Sequence, residues 1–164
     1  MTLAGYSGTP LIQKLGIKEG HAVATVSAPT GFDLGVLPTG ATLQATLRGK
    51  TPLDVIVAFV KQRTALIEQV AACRPRMRQD AGLWIAWPKK SSGVATDIVE
   101  DTIREVALPT GLVDNKVCAI DETWSGLRLV IRKELREKAV AAPAMPATAK
   151  QRAPSRTRRR ASPR

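Results

Sequence analysis

The sequence has few of the residues that build metal centres, disulfide frameworks or nucleophilic triads. Its 164 residues include two cysteines, Cys73 and Cys118, and one histidine, His21. Both cysteines lie in stretches with apolar periodicity, which predicts buried free thiols in a reducing compartment. One histidine and two widely spaced cysteines exclude a Cys/His zinc cage, and the sequence has no Gly-x-Ser-x-Gly elbow. We therefore predict no metal site and no catalytic triad.

Long hydrophobic runs are also lacking. No apolar run approaches the roughly 20 residues that a membrane helix needs. The start at Met1–Gly5 has neither the charged region nor the apolar region of a secretory signal. Apolar residues nevertheless make up 44% of the chain, which is enough for the core of one domain. We expect a cytoplasmic protein without membrane contact.

Acidic residues are missing from the end of the chain. Residues 139–164 contain none, although they hold seven of the 25 basic residues and much of the net charge of +11. This segment is rich in Ala, Pro, Ser and Arg, and it has too little apolar surface to offset the entropy of ordering it. The sequence therefore predicts one domain over 1–138 and a disordered basic tail over 139–164.

The tail suggests contact with nucleic acid. Its cations are Lys150, Arg152, Arg156, Arg158, Arg159, Arg160 and Arg164. They neutralise phosphates, but the tail has no aromatic residue on which a base could stack. We predict binding without sequence preference; the alternative is a functionally silent extension.

Strand-like and helix-like patterns alternate in the rest of the chain. Strands are predicted near 22–27, 43–47, 54–60, 82–87, 116–121 and 126–132, helices near 9–15, 63–79 and 95–108, and a helical turn within 31–37. The run 54–60 is apolar throughout, as in a strand covered on both faces. The link between the last two strands is too short for a crossover and predicts an antiparallel hairpin. We predict an α/β, Rossmann-like domain: a mostly parallel sheet with helices on both faces and a C-terminal antiparallel hairpin. This arrangement resembles the class I methyltransferase variation of the Rossmann fold.

Ligands of such sheets bind outside the carboxyl ends of the strands, where one loop stands out. The sequence Lys89-Lys90-Ser91-Ser92-Gly93 offers two ammonium groups and two hydroxyls directly before a predicted helix. Free N–H groups at a helix start favour an anion, although the glycine and lysine order of a P-loop is absent. The alternative is a solvated connection between strand and helix.

The hairpin turn adds a carboxylate pair and an aromatic ring at the same edge. Adjacent residues of a strand face opposite sides, so joint acid–base work by Asp121 and Glu122 requires an irregular turn, and a solvated turn is the alternative. Trp124 is a candidate for capping a pocket, whereas Trp84 and Trp87 are predicted to pack on opposite faces of the sheet. The predicted ligand-binding residues are Thr30, Arg63, Lys89, Lys90, Ser91, Ser92, Asp121, Glu122 and Trp124. His21 is predicted at the opposite edge, without a function.

Standard cofactor binding is not predicted. Dinucleotide-binding domains need several glycines after the first strand and an acid after the second. Here the turn from Val26 to Gly31 has one glycine, and Arg48 and Lys50 stand where the acid is expected. Neither adenosylmethionine nor NAD is expected to bind in the usual manner, and the cofactor is left open.

Three sequence blocks carry a family resemblance: GYSGTPL at 5–11, WPKKSSGVATD at 87–97 and VDNKVCAIDETWSGLRL at 113–129. They resemble a bacterial, mainly actinobacterial family described only as a domain of unknown function, over about residues 4–134. The resemblance implies a bacterial cytoplasmic protein and brings no activity, cofactor or catalytic residue with it.

Three functions are compatible with these features. The first is a non-catalytic Rossmann-like module that binds a small anionic ligand or a protein partner. The second is a divergent methyltransferase-like enzyme, and the third is a nucleic-acid-associated protein that acts through its tail. The sequence identifies no catalytic residue, leaves enzymatic activity open and does not fix the oligomeric state.

Overall fold

A computed structural model of the protein describes residues 10–136. Most of the GYSGTPL block and the whole predicted tail, 139–164, lie outside these residues. The described part has three α-helices, six strands and several 3-10 turns. The elements are α1 (Leu11–Leu15), β1 (Ala22–Val26), β2 (Thr42–Gln44), β3 (Leu53–Phe59), α2 (Arg63–Cys73), β4 (Met77–Pro88), α3 (Glu100–Ala107), β5 (Leu112–Ala119) and β6 (Trp124–Ile131). After Arg132, the chain forms one 3-10 turn, Lys133–Leu135.

The strands form one sheet in the order β2-β1-β3-β4-β6-β5. The first four are parallel to one another, β6 is antiparallel to β4, and β5 is antiparallel to β6. This confirms the predicted fold class: a mostly parallel Rossmann-like sheet that ends in an antiparallel hairpin. The predicted strands 54–60 and 82–87 are the two central ones, as expected from their continuous apolar sequences.

Each face of the sheet has its own core. One core contains Leu15 of α1 and Trp84, together with Ile17 and Leu34 from irregular segments. The other contains residues of α2 and α3 together with Trp87. Helices therefore cover both faces, and the two tryptophans pack on opposite sides, as predicted. The indole Nε1 of Trp84 donates to the carbonyl of Leu15 at 3.1 Å, so this buried ring ties α1 to the sheet.

The end of one predicted helix is wrong, and so is one predicted helical turn. The helix predicted over 63–79 ends at Cys73, followed by a 3-10 turn, Arg74–Arg76, and β4 begins at Met77. Pro75 has no N–H to continue the α-helical ladder, which explains the early end. The turn expected within 31–37 is not helical, because Gly31 and Gly35 have φ values of 86° and 94°, outside the helical region.

Side-chain hydrogen bonds shorten two other elements. The strand predicted over 43–47 ends at Gln44, whose amide nitrogen donates to the carbonyls of Thr46 and Arg48 and turns the chain away from the sheet. The helix predicted over 95–108 begins at Glu100, because the Thr96 hydroxyl accepts from the N–H of Ile98 and holds a non-helical turn there.

Candidate functional site

The strand order of the sheet creates one topological switch point. From β1 the chain passes to β2 on one side and then crosses to β3 on the other side of β1. The loops that leave β1 and β3 diverge there, and open α/β sheets bind their ligands in this crevice at the carboxyl ends of the strands.

A cavity of about 580 Å³ lies at this switch point, and we call it the switch-point cavity. Its size falls within the range of small-molecule sites. The residues after β1 supply Ser27 and Pro29, the end of β3 and the start of α2 supply Phe59–Gln62 and Ala65, and the hairpin supplies Trp124; Val94 and Ala95 complete it. The lining is mostly apolar, with a few polar groups, as is usual in small-molecule sites.

Two aromatic contacts shape this cavity. Phe59 meets Trp124 edge to face with ring centroids 5.1 Å apart, and it meets Phe32 in the same way at 4.8 Å. Such pairs add about 0.5–1.5 kcal/mol each beyond the burial of area. Phe59 and Trp124 therefore form a firm aromatic wall.

Trp124 is positioned by an Asx turn. The Asp121 carboxylate accepts hydrogen bonds from the N–H groups of Thr123 and Trp124, both at 2.8 Å. The N–H of Lys89 donates to the carbonyl of Thr123, also at 2.8 Å, which joins this turn to the end of β4. The hairpin turn thus lies at the carboxyl edge, as the sequence predicts.

Ser27 marks the exit from β1. Its φ is 59°, and within residues 10–136 it is the only residue other than glycine with a positive φ. Left-handed backbone is unfavourable for a residue with a Cβ, so the surrounding structure must hold it in place. This conformation occurs at the switch point, next to the cavity.

A second cavity, of about 520 Å³, lies nearby at the end of β4. Lys89, Lys90 and Ser125 are among its lining residues, together with the segment Thr96–Glu100. The wall segment, residues 94–97, contributes to both cavities. It is fixed because the Thr96 hydroxyl donates to the carbonyl of Lys61 at 2.6 Å. The wall segment thus separates two neighbouring compartments.

The predicted site residues are distributed over several environments. Trp124 lines the switch-point cavity, whereas Lys89 and Lys90 line the second cavity. Asp121 and Ser92 are engaged in turns, since the Ser92 hydroxyl donates to the Lys89 carbonyl at 2.6 Å and accepts from the N–H of Val94.

The remaining predicted residues lie outside both cavities. Thr30, Ser91 and Glu122 are exposed, and Arg63 pairs with Glu105 at 3.0 Å. The structure thus brings Lys89 and Trp124 to one edge but gives them different cavities. Ligand binding by the nine residues stays a prediction.

Several lining residues were not among those predicted. Ser27 directly follows β1, and Gln62 lies between β3 and α2, so both stand at the carboxyl ends of the strands that flank the switch point and the strand order would have indicated them. Val94 and Ala95 reach the cavity only because Thr96 and Asp97 bond to the chain after β3, a contact without a sequence signal.

The two cysteines, whose thiol pKa values are raised, lie away from the carboxyl edge of the sheet. Burial raises the pKa of Cys73 to about 12 and also raises the pKa of the half-buried Cys118. Neither residue lines the two cavities at the carboxyl edge. Within residues 10–136, no group of three His, Cys, Asp or Glu side chains is placed to hold a metal ion, and none of the helices there is long and apolar enough to cross a membrane.

Several solved structures with a similar fold are methyltransferases. A methyltransferase dependent on adenosylmethionine (SAM) from Aquifex aeolicus is 12% identical, and the match covers 74% of this chain and 88% of that one with a TM-score of 0.56. The fold is methyltransferase-like. Fibrillarin from Aeropyrum pernix, solved with natively bound S-adenosyl-L-methionine, is 15% identical over 77% of this chain and 70% of that one, with a TM-score of 0.49. No protein-family model and no curated protein matches the sequence. The resemblance of the three blocks to an actinobacterial family stays a prediction.

The residues present do not form the standard cradle of this fold. No helix follows β1, since residues 27–41 are irregular, so no helix N-terminus faces the crevice from that side. After β2, the exposed carbonyls of Thr46 and Arg48 accept from Gln44, and no acid is available for a ribose hydroxyl. A nucleoside ligand would have to be held by the aromatic wall and the end of β3.

Proposed function

We propose that the protein is a divergent methyltransferase-like protein that binds an adenine nucleoside, adenosylmethionine foremost, in the switch-point cavity. The observation that carries this proposal is the aromatic wall of Phe59 and Trp124 at the one point of the sheet where the strand order reverses. A purine ring is flat and apolar on its faces, so it complements such a wall.

The polar groups of the cavity support a neutral or weakly charged ligand body. Gln62 and Ser27 offer donors and acceptors for hydroxyl or amino groups at the cavity rim, and Lys61 is the single lysine among the lining residues. The second cavity, beyond the wall segment, is a suitable place for the molecule that receives the methyl group. Its lysines, Lys89 and Lys90, favour an acceptor with negative charge.

Calorimetric titration of the full chain tests the binding step. Adenosylmethionine, adenosylhomocysteine, adenosine and ATP are compared with wild-type protein and with W124L and W124F. We expect nucleoside binding that weakens at least about tenfold in W124L, by loss of a stacking surface of roughly 1–3 kcal/mol. W124F retains an aromatic face and is expected to bind within about threefold of wild type. Equal affinity of wild type and W124L, with both folded, would contradict the proposal.

The reaction step has its own experiment. Transfer of a labelled methyl group from adenosylmethionine to any component of a bacterial extract, abolished by W124L, supports an enzyme. Nucleoside binding without transfer would instead favour the non-catalytic ligand-binding module predicted from the sequence. Preference for ATP over adenosine would point to an anionic ligand, as expected for that module.

A further inference from the structure

A third cavity, of about 320 Å³, lies at the opposite edge of the sheet, near the amino ends of β3 and β4. It lies between the end of α1, the turn before β1 and the hairpin strands. Four of its lining side chains are cationic: Lys14, Lys18, Lys116 and Arg128. They come from separate parts of the chain, so the fold rather than a charge run assembles them. We call them the cationic cluster.

The two carboxylates of this cavity do not balance the cationic cluster. Asp54 accepts a hydrogen bond from the N–H of Ala22 at 2.8 Å and pairs with Arg78 at 3.0 Å, so both its oxygens are engaged in holding strands together. Asp80, which is exposed, is the other carboxylate of the lining. Four cations against two carboxylates, one of them already paired with Arg78, leave the lining with an excess of positive charge.

Two of the cations face each other across the hairpin. Lys116 of β5 lies directly opposite Arg128 of β6 in the antiparallel register, and both line this cavity. Like charges at directly opposed positions destabilise a strand pair. An anion placed against both side chains would reverse the sign of this interaction.

A bulge in β5 and a glycine in β4 accommodate the pair of Lys116 and Arg128. The register shifts between Asp114 and Lys116, so Asn115 is an extra residue in a bulge, and Asn115 joins Lys116 in lining the cavity. Bulges re-aim side chains in this way. On the other side, a Cβ on Gly82 would lie 2.5 Å from Nε of Arg128, so only a glycine there leaves room for the guanidinium as it lies.

His21 adds a further polar side chain. Its Nδ1 accepts from the N–H of Lys18 at 3.1 Å, so Nε2 is the ring nitrogen left to contact a ligand. Asn115 supplies an amide as well. Polar donors beside cations complement the oxygen atoms of an oxyanion.

We propose that this cavity binds a compact phosphorylated small molecule. A guanidinium pairs with phosphate through two parallel hydrogen bonds, and lysines add point charges around it. The cavity volume of about 320 Å³ lies at the lower end of the range of small-molecule sites, which suits a small phosphate ester. This inference concerns the amino edge of the sheet and is independent of nucleoside binding at the carboxyl edge.

The test measures anion binding to the full chain by calorimetry, with inorganic phosphate, pyrophosphate and glycerol 3-phosphate as probes. K116Q removes one cation of the opposed pair, and K50Q makes the same change at an exposed loop position outside the cavity. Both variants keep the basic tail, whose contribution therefore cancels. We expect K116Q to weaken binding of glycerol 3-phosphate about tenfold, as for the loss of one charge-assisted hydrogen bond, and K50Q to bind as wild type.

Stability provides a second measurement. The long contact of Lys116 Nζ with the carbonyl of Lys14, at 3.5 Å, is one that a glutamine amide can also make as a donor. Without phosphate, K116Q is therefore expected to melt at or above the wild-type temperature, because the repulsion with Arg128 is removed. Glycerol 3-phosphate should stabilise only wild type and K50Q. If K50Q and K116Q weaken binding equally, the anions are held by general charge attraction and the proposal is overturned. The same holds if sodium chloride of the same ionic strength abolishes binding to wild type. Tighter binding of inorganic phosphate than of the ester would identify the free ion as the ligand. W124L, which tests the other edge, should leave the affinity for these anions unchanged.

Discussion

At the scale of single residues, two glycines leave room for side chains that lie at the two edges of the sheet. A Cβ on Gly126 would lie 2.8 Å from Cδ1 of Ile120 and 3.1 Å from Trp84, so this position packs the core beneath the hairpin turn. Gly82 instead leaves room for Arg128. In the sequence both appear as glycines inside strands, which indicates a close approach but not the residue that makes it. The partners follow only from the way β4, β6 and the end of β5 pack together.

Cys73 makes stability depend on pH. Burial raises the pKa of its thiol to about 12, while an unfolded thiol loses its proton near pH 8.5. Between these values the folded state binds more protons than the unfolded state, so the free energy of unfolding falls as pH rises. Its contribution is intact below about pH 8.5 and is lost towards pH 12.

The variant C73A isolates this effect. We expect the wild type to lose about 1.4 kcal/mol per pH unit more than C73A above pH 9, in urea titrations at pH 8, 9.5 and 10.5. The variant also leaves a small void, which lowers its stability independently of pH, so the comparison is between slopes and not between absolute free energies of unfolding. Parallel curves for the two proteins would contradict the prediction.

At the scale of elements, the Asx turn of Asp121 determines where the aromatic wall stands. The variant D121A removes the acceptor of two backbone N–H groups and is expected to cost about 1–3 kcal/mol in the free energy of unfolding. D121N keeps a side-chain oxygen and should lose less. E122A changes the exposed neighbour and should stay within about 0.5 kcal/mol of wild type in the same urea titration. A loss in E122A as large as that in D121A would show that the turn is not held by Asp121.

Element prediction succeeded where burial and sequence pattern agree. The run 54–60 is apolar because both faces of β3 are covered, and that pattern has one interpretation. The first part of β4, Met77–Asp80, is largely exposed and polar, so nothing in its sequence distinguishes it from the end of α2. The start of α3 depends on the hydroxyl of Thr96, a local bond that periodicity does not reveal.

The same reasoning applies to the candidate sites. The carboxyl edge could be predicted because parallel strands end there together, and Trp124 was placed correctly at that edge. The division of the carboxyl edge into two cavities could not be predicted, because the wall segment is held by contacts with the chain after β3. The cationic cluster combines residues more than 100 positions apart, such as Lys14 and Arg128, and needs the complete topology.

At the scale of the whole molecule, the basic tail stays a separate hypothesis. Residues 139–164 lie outside the described part, so their role depends on charge alone. In the full chain, the quadruple variant R156Q/R158Q/R159Q/R160Q should bind double-stranded DNA more weakly at physiological salt. The slope of log affinity against log salt should become about 3–4 units shallower, because four phosphate contacts are lost. Unchanged affinity would show that the tail is a silent extension.

Among the described strands, β5 is the last of the sheet on the hairpin side, so its outer edge pairs with no other strand of residues 10–136. Such an edge invites a strand of another molecule to pair with it, and lysines and bulges are the usual protection. The bulge at Asn115 and the charge of Lys116 stand in the middle of this strand, next to the half-exposed Val117. Lys116, which adds positive charge to the third cavity, is thus also placed to hinder strand pairing between two copies at this edge. Replacing Lys116 by valine would remove a cation from the third cavity and a protecting charge from the edge of the sheet. Light scattering should then show self-association of K116V. K116Q keeps a polar side chain at the edge and should not self-associate.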